Sequence, residues 1–290
     1  MFVFKAAVVG AGVMGGEIAQ VIAAADIPVV LKDVDQELVD AGHTQARKVT
    51  EKQASKLAAK GKLSEDDAAA MVERTLGRIT GAVDYDGFGD VDFVVEAVPE
   101  KMAVKRAVLA ELDAATPGHA ILASNTSGLS ISEMADATQR PHLVVGFHFF
   151  WPASVMRLIE VIEGEDTSPQ AMQAAITFAQ QLRKVPIRAG ECPGFVVNRI
   201  LLSTASEVWR YQDESGVPVE QLDDFITEQA QMPMGPFRVA DMSGLDTTVK
   251  VAHDLRDAYG DRFYVHRGME EHLERGELGA KSGKGFYEHG

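Results

Sequence analysis

The chain has 290 residues, 46% of them hydrophobic and 24% charged, which is the composition of a soluble globular protein large enough for two domains. With 43 acidic residues against 28 basic ones its formal charge is −15, and this argues against a nucleic-acid partner because DNA binding requires a basic surface. The single cysteine, Cys192, excludes an intrachain disulfide and a multi-cysteine metal site, as expected of a cytoplasmic protein. The eight histidines show no metal-ligand spacing, and no stretch of about 18 uncharged apolar residues predicts a membrane span.

The first two thirds of the chain alternate short β-branched runs with helical stretches. This alternation predicts a mostly parallel sheet covered by helices. The runs are continuously apolar, which indicates strands that are buried on both faces. Strands are predicted at 3–9, 29–33, 91–98, 120–123, 143–149, 155–162 and 185–188, and helices at 12–25, 36–59, 103–114 and 168–182.

The pattern changes at Pro193, after which the sequence has helical periodicity and little strand signal. The Gly and Pro residues between 189 and 194 are typical of a joint between domains. The sequence therefore predicts an α/β sheet domain over residues 1–189, followed by an all-helical C-terminal domain over residues 190–290. The helices of this second domain are predicted at 195–212, 219–228, 245–259 and 269–275.

A G-x-G-x-x-G motif closes the first predicted strand and opens the first predicted helix. In this context Gly10 permits a tight turn, Gly12 lets a pyrophosphate approach the backbone, and Gly15 lets helix and strand pack closely. Asp33 ends the next strand, where a carboxylate accepts hydrogen bonds from an adenosine ribose and repels a 2′-phosphate. The motif predicts a Rossmann-like domain that binds NAD rather than NADP, against the alternative of a glycine turn without a ligand.

A histidine and a glutamate follow in two neighbouring apolar strands. His148 ends one strand, Glu160 lies in the next, and Pro152 forces a turn between them. A hairpin-like return would bring the imidazole and the carboxylate together, and such a pair suits alcohol oxidation because histidine can take the hydroxyl proton. The carboxylate would fix the imidazole tautomer and stabilise the imidazolium. By spacing alone, a buried structural histidine with an unrelated glutamate is an equally good interpretation.

Several specific strings stand in order behind the glycine motif and span essentially the whole chain. Together they closely resemble the (S)-3-hydroxyacyl-CoA dehydrogenase family, including the dehydrogenase part of multifunctional fatty-acid oxidation proteins. The strings are VVEAVPE at 94–100, ASNTS at 123–127, GFHFF at 146–150, CPGFVVNR at 192–199, MGP at 234–236, GLD at 244–246 and GKGFY at 283–287.

The resemblance implies roles for four residues of the reaction centre. His148 matches the catalytic base of the family, and Glu160 matches the carboxylate that orients this base. Ser127 and Asn198 match residues that hydrogen-bond near the 3-oxygen of the substrate and the nicotinamide. Without the resemblance, Ser127 could equally be a helix cap and Asn198 a helix-surface amide.

The resemblance also implies contacts outside the reaction centre. Glu100 and Lys105 match further cofactor contacts, although by sequence alone each would be an ordinary surface charge. Lys52 matches a lysine that contacts coenzyme A. It belongs to a stripe of lysines spaced four residues apart on one helix face, which could equally be a solvated face; the stripe is completed by Lys48, Lys56 and Lys60.

Two residues depart from the family pattern. Trp151 replaces an asparagine that usually follows the His-Phe-Phe string, and Gly128 stands where a hydroxyl residue is common. The predicted function is the NAD-dependent oxidation of (S)-3-hydroxyacyl-CoA to 3-oxoacyl-CoA by a cytoplasmic homodimer, with acyl-CoA between the two domains. The alternatives are a 3-hydroxybutyryl-CoA or free hydroxy-acid dehydrogenase, which Trp151 would favour, and an NAD-binding structural protein without catalysis.

Overall fold

The structure is a computed structural model and describes residues 2–289. The chain divides into two compact units, one that ends at Glu191 and one that begins at Cys192. The first unit is built from a sheet with helices, and the second is helical. This architecture confirms the predicted fold class.

One sheet of eight strands forms the centre of the first unit within the described residues. The strands are β1 (Ala6–Val9), β2 (Val29–Lys32), β3 (Ile79–Ala82), β4 (Phe93–Glu96), β5 (Ile121–Ser124), β6 (Val144–Phe149), β7 (Leu158–Glu163) and β8 (Val185–Gly190). Their order is β3-β2-β1-β4-β5-β6-β7-β8, and every neighbouring pair is parallel except the antiparallel pair β6 and β7. The order reverses between β1 and β4, which is the switch point where open sheets of this kind bind ligands.

Capping residues set the starts of several helices of this unit. Asp35 precedes α2 and Ser168 precedes α6, and each side chain accepts a hydrogen bond from the backbone N–H three residues later. Pro169 occupies the first position of α6, where a missing N–H costs little. The helices are α1 (Val13–Ala24), α2 (Gln36–Ala59), α3 (Glu65–Leu76), α4 (Met102–Ala115), α5 (Ile131–Ala135) and α6 (Pro169–Gln181).

The main core of the first unit lies between one face of the sheet and helices α1 and α6. Three aromatic rings form its centre, because Phe178 of α6 lies 4.5 Å from Phe93 and 5.8 Å from Phe147, measured between ring centroids. Side chains alternate along a strand, so Phe147 in this core directs its neighbour His148 to the opposite face of the sheet.

The second unit consists of helices around a separate apolar core. Trp209, Phe237, Leu255 and Phe263 are among its most buried side chains. Its helices are α7 (Val197–Ser215), α8 (Val219–Gln229), α9 (Pro236–Ser243), α10 (Leu245–Tyr259) and α11 (Arg267–Glu274). The carboxylate of the fully buried Asp241 accepts hydrogen bonds from the backbone of the Gly-Lys-Gly-Phe-Tyr segment, which docks this segment on α9.

The structure differs from the predicted elements in several places. The predicted strand at 3–9 begins at Ala6, because the N–H groups of Phe4 and Lys5 donate to the Asp92 carboxylate instead of a strand. The pattern did not predict α3, β3, α5 and α9. Two of these helices are short, α3 carries few buried side chains, and β3 is an edge strand whose middle residues are exposed.

In the range 2–289, no helix is both long and apolar enough to cross a membrane. The same range contains no group of three or more His, Cys, Asp or Glu side chains that is placed to hold a metal ion.

Candidate active site

The glycine-rich loop between β1 and α1 has the geometry that a dinucleotide requires. Gly10 has φ +98°, and a Cβ atom there would lie 2.6 Å from the carbonyl oxygen of Ala97. At Gly15 a Cβ would collide with the carbonyl oxygen of Gly10. At Gly12, by contrast, it would meet no protein atom within 4 Å. The fold thus requires glycine at positions 10 and 15. Gly12, by contrast, leaves open space at the start of α1, where helix N–H groups favour a phosphate.

Asp33 supports this loop from the end of β2. Its Oδ2 accepts a hydrogen bond of 2.6 Å from the N–H of Ala11, and its Oδ1 accepts one from Val34. A carboxylate offers about four acceptor positions, so Asp33 can hold the loop and still accept ribose hydroxyls. The loop and Asp33 therefore fit NAD, and the loop lies beside the switch point of the sheet.

His148 and Glu160 lie directly opposite each other in the antiparallel pair of β6 and β7. The distance from His148 Nδ1 to Glu160 Oε2 is 2.7 Å, and both residues are buried, with exposures of 4% and 0%. A carboxylate beside Nδ1 holds the proton on that nitrogen, so Nε2 is the basic atom of the ring. The pair can therefore accept a proton and stabilise the resulting imidazolium.

Two further residues lie beside His148: Asn125 contacts the backbone next to it, and Phe150 contacts its ring. Asn125 Oδ1 accepts a hydrogen bond of 2.9 Å from the N–H of Phe149, which ties the end of β5 to the end of β6. The ring of Phe150 lies 4.5 Å from the ring of His148. Neither residue was among the predicted site residues, although Asn125 belongs to the Ala-Ser-Asn-Thr-Ser string that carried the resemblance.

A buried ionic cluster lies beneath the loop that carries Ser127. Lys105 Nζ contacts Glu96 Oε1 at 2.8 Å and Glu100 Oε2 at 3.2 Å. The other oxygen of Glu100 accepts hydrogen bonds from the Ser127 N–H at 2.9 Å and the Thr126 hydroxyl at 2.6 Å. Glu96, which was not predicted, therefore anchors a chain of contacts that reaches Ser127.

The structure connects only some of the predicted site residues directly. Glu100, Lys105 and Ser127 form one hydrogen-bonded group, and His148 and Glu160 form another. Lys52 is exposed on α2, and Asn198 is the second residue of α7 in the helical unit. The sequence pattern gave no direct signal for Glu96, because a glutamate that ends an apolar strand also fits a solvent-exposed strand end.

The loop between β6 and β7 is held by a lysine that immediately precedes β8. Lys184 Nζ donates to the carbonyl oxygens of Ala153 at 2.5 Å and Met156 at 2.8 Å. Burial lowers the pKa of Lys184, and the negative charge of Glu17 on α1 opposes this shift. The two carbonyl contacts fix the shape of the connection between the strand of His148 and the strand of Glu160.

A mostly parallel sheet with a glycine-rich loop at its switch point, and with a buried histidine–carboxylate pair near the carboxyl end of β6, is typical of oxidoreductases that use a dinucleotide. Residues 5–192 match the profile of the 3-hydroxyacyl-CoA dehydrogenase NAD binding domain, and residues 194–289 match that of the 3-hydroxyacyl-CoA dehydrogenase C-terminal domain. The chain belongs to the 3-hydroxyacyl-CoA dehydrogenase family. It is an NAD-dependent oxidoreductase with NAD as its cofactor, and both predictions are confirmed.

Known proteins with related sequences or structures agree with this assignment. The fatty acid oxidation complex subunit alpha of Psychrobacter cryohalolentis is 39% identical over 292 residues, which cover 98% of this chain and 38% of that protein. The chain thus spans about two fifths of the length of the curated relatives it matches. The crystal structure of FadB2 from M. tuberculosis is 33% identical with a TM-score of 0.92, and that of (S)-3-hydroxybutyryl-CoA dehydrogenase PaaH1 from Ralstonia eutropha is 35% identical with a TM-score of 0.88. Both matches cover 100% of each chain.

Proposed function

We propose that the chain oxidises (S)-3-hydroxyacyl-CoA to 3-oxoacyl-CoA, as in fatty-acid β-oxidation. The observation that supports this most strongly is the 2.7 Å contact of His148 Nδ1 with Glu160 Oε2 in a buried position. Oxidation of an alcohol needs a base for the hydroxyl proton while hydride leaves the carbon, and a histidine held by a carboxylate can supply that base.

In the proposed mechanism the residues of the chain move one proton and hold one oxygen. His148 Nε2 takes the proton of the 3-hydroxyl, and Glu160 stabilises the imidazolium that forms. Ser127 and Asn198 donate hydrogen bonds to the substrate oxygen as it becomes a carbonyl. NAD supplies the hydride acceptor when it is bound.

The cofactor contacts follow from the same arrangement. The backbone at Gly12 holds the pyrophosphate and Asp33 holds the adenosine ribose. Glu100 and Lys105 contribute at the nicotinamide end. Because the Lys105 side chain is only 1% exposed, we propose that it acts on the cofactor through Glu100.

The substrate carries several phosphates, and the exposed lysines of α2 supply positive charge in an acidic protein. Lys52 is the proposed contact to coenzyme A. Its neighbours Lys48 and Lys56 lie one turn away on the same helix face, and Lys60 follows at the helix end. Substitution of Lys52 by Met is expected to raise KM for acyl-CoA and to leave KM for NAD unchanged.

The helical part, residues 190–290, is proposed to carry the contact of a cytoplasmic homodimer. One face of α7 exposes two large side chains, Ile200 at 62% and Tyr211 at 54%, and this face is the proposed contact. Analytical ultracentrifugation tests this proposal, since Ile200→Lys is expected to shift the protein toward a monomer.

Formation of NADH from (S)-3-hydroxyacyl-CoA by the purified chain tests the function directly. His148→Gln is expected to bind NAD as the wild type does and to lose about 10²–10⁴ in turnover, the usual range for a positioned acid–base group. Glu160→Gln is expected to lose turnover in the same range because the imidazolium is no longer stabilised. Unchanged turnover in His148→Gln would refute the role of the dyad.

A second candidate is a dehydrogenase restricted to 3-hydroxybutyryl-CoA. The 35% identity to the structure of (S)-3-hydroxybutyryl-CoA dehydrogenase over the whole chain favours it. Rates on short, medium and long 3-hydroxyacyl-CoA distinguish this candidate from a general acyl-CoA enzyme. Rates on free 3-hydroxy acids test the alternative of a free hydroxy-acid dehydrogenase.

A further inference from the structure

The loop between β6 and β7 exposes large apolar side chains immediately after β6, the strand that carries His148. Trp151 is 47% exposed, Val155 is 68% exposed and Met156 is 41% exposed. The seven residues 150–156 carry no charge, in a chain whose formal charge is −15. Such a local concentration of exposed apolar side chains indicates a binding surface for an apolar group.

The backbone of this loop has a defined shape. Pro152 accepts hydrogen bonds on its carbonyl oxygen from the N–H groups of Val155 and Met156, at 3.0 and 2.9 Å. The carbonyl oxygens of Ala153 and Met156 accept hydrogen bonds from Lys184. Ala153 is fully buried. These hydrogen bonds therefore hold the backbone of the loop, while Trp151, Val155 and Met156 remain exposed.

The loop is continuous with the position where the substrate hydroxyl is proposed to bind. Trp151 follows His148 by three residues, so their Cα atoms are at most about 11 Å apart. Phe150, between them in the chain, contacts the His148 ring with 4.5 Å between the centroids. An apolar chain that starts at His148 and extends over several carbons can therefore reach Trp151.

We propose that this loop binds the acyl chain of the substrate and that Trp151 determines the preference for chain length. The inference rests on the proposed function, because the 3-hydroxyl must bind at His148 for the acyl chain to extend to the loop. A four-carbon substrate has a single carbon beyond the hydroxyl carbon and cannot cover the loop. Medium-length chains can cover it, and each buried methylene is worth about fourfold in kcat/KM.

The experiment measures kcat/KM for (S)-3-hydroxyacyl-CoA substrates with roughly four, eight and twelve acyl carbons. A gain of about fourfold per buried methylene would give clearly different kcat/KM values for these three substrates. The wild type is expected to gain at least about tenfold from the shortest to the longer substrates. Trp151→Ala is expected to lose most of this gain and to keep activity on the shortest substrate within about twofold. Trp151→Phe keeps an apolar ring and is expected to retain part of the gain. Phe225→Ala removes an aromatic side chain that is 60% exposed in the helical unit and serves as the matched control.

Each outcome separates the inference from the function on which it rests. No NADH from any substrate with the wild type would overturn the proposed function and the inference together. NADH formation whose dependence on chain length is the same in wild type and Trp151→Ala would overturn the inference alone. An equal loss at every chain length would also overturn it, since Trp151 would then act on the reaction centre. Self-association that Trp151→Ala abolishes, without a change in chain-length dependence, would assign the surface to a second copy of the chain instead.

Discussion

Lys105 Nζ lies 2.8 Å from Glu96 Oε1, and the two side chains are 1% and 0% exposed. The pair joins the end of β4 to α4 in the interior of the first unit. Glu96 also accepts hydrogen bonds from the hydroxyl of Ser124 and the N–H of Val98, so its charge is fully surrounded by donors. Through Glu100, the same lysine reaches the loop of Ser127.

Removal of the lysine charge is expected to destabilise the first unit strongly. Lys105→Met leaves the Glu96 carboxylate buried without its cation, and breaking a buried pair in this way costs about 3–5 kcal/mol. The free energy of unfolding in urea measures this cost. Lys56→Met, an exposed lysine on α2, is the control and is expected to change stability by less than about 0.5 kcal/mol. A loss below about 1 kcal/mol in Lys105→Met would show that the pair does not hold the fold.

A second prediction concerns Lys184, which holds the loop after His148. Lys184→Met removes both hydrogen bonds to the loop carbonyls and is expected to lower kcat by roughly 10–100-fold, because small displacements of a base are costly. KM for NAD is expected to stay unchanged. Lys184→Arg retains the donors and should recover part of the rate. If Lys184→Met lowers the melting temperature and leaves kcat intact, the residue has a purely structural role.

A third prediction concerns the stability of the helical unit in acid. Contacts with Lys284, Arg275 and His272 lower the pKa of Glu277 from 4.5 to about 2. Since the pKa is lower in the folded state, Glu277 stabilises the fold above about pH 4.5, and this contribution disappears as the pH falls toward 2. Wild type is thus expected to be more stable than Glu277→Gln at neutral pH, and the difference should shrink below pH 4.5. Urea unfolding of both proteins across this pH range measures it, and a constant difference would contradict the assignment.

The alternation of apolar runs and helical stretches was enough to predict the sheet. Pro152 between two apolar strands indicated a return that could pair His148 with Glu160, but spacing alone left a buried histidine with an unrelated glutamate as an equally good interpretation. Burial on both faces makes such strands easy to recognise. The edge strand β3 was missed because half of its residues face solvent and carry no continuous apolar signal. The roles of Glu96 and Lys184 could not be predicted, since each depends on contacts between distant parts of the sequence that leave no local pattern.

A last prediction separates the structural glycines of the nucleotide loop from the one that faces the ligand. Gly12 has φ −66°, which alanine adopts readily, and a Cβ there meets no protein atom within 4 Å. Gly12→Ala is therefore expected to fold with wild-type stability and to bind NAD at least about tenfold more weakly, because the methyl group occupies the space of the pyrophosphate. Gly15→Ala places a methyl group against the Gly10 carbonyl and is expected to destabilise the fold itself. Thermal unfolding without NAD, combined with NADH titration by fluorescence, distinguishes the two effects. Wild-type NADH affinity in Gly12→Ala would mean that the pyrophosphate does not bind at this loop.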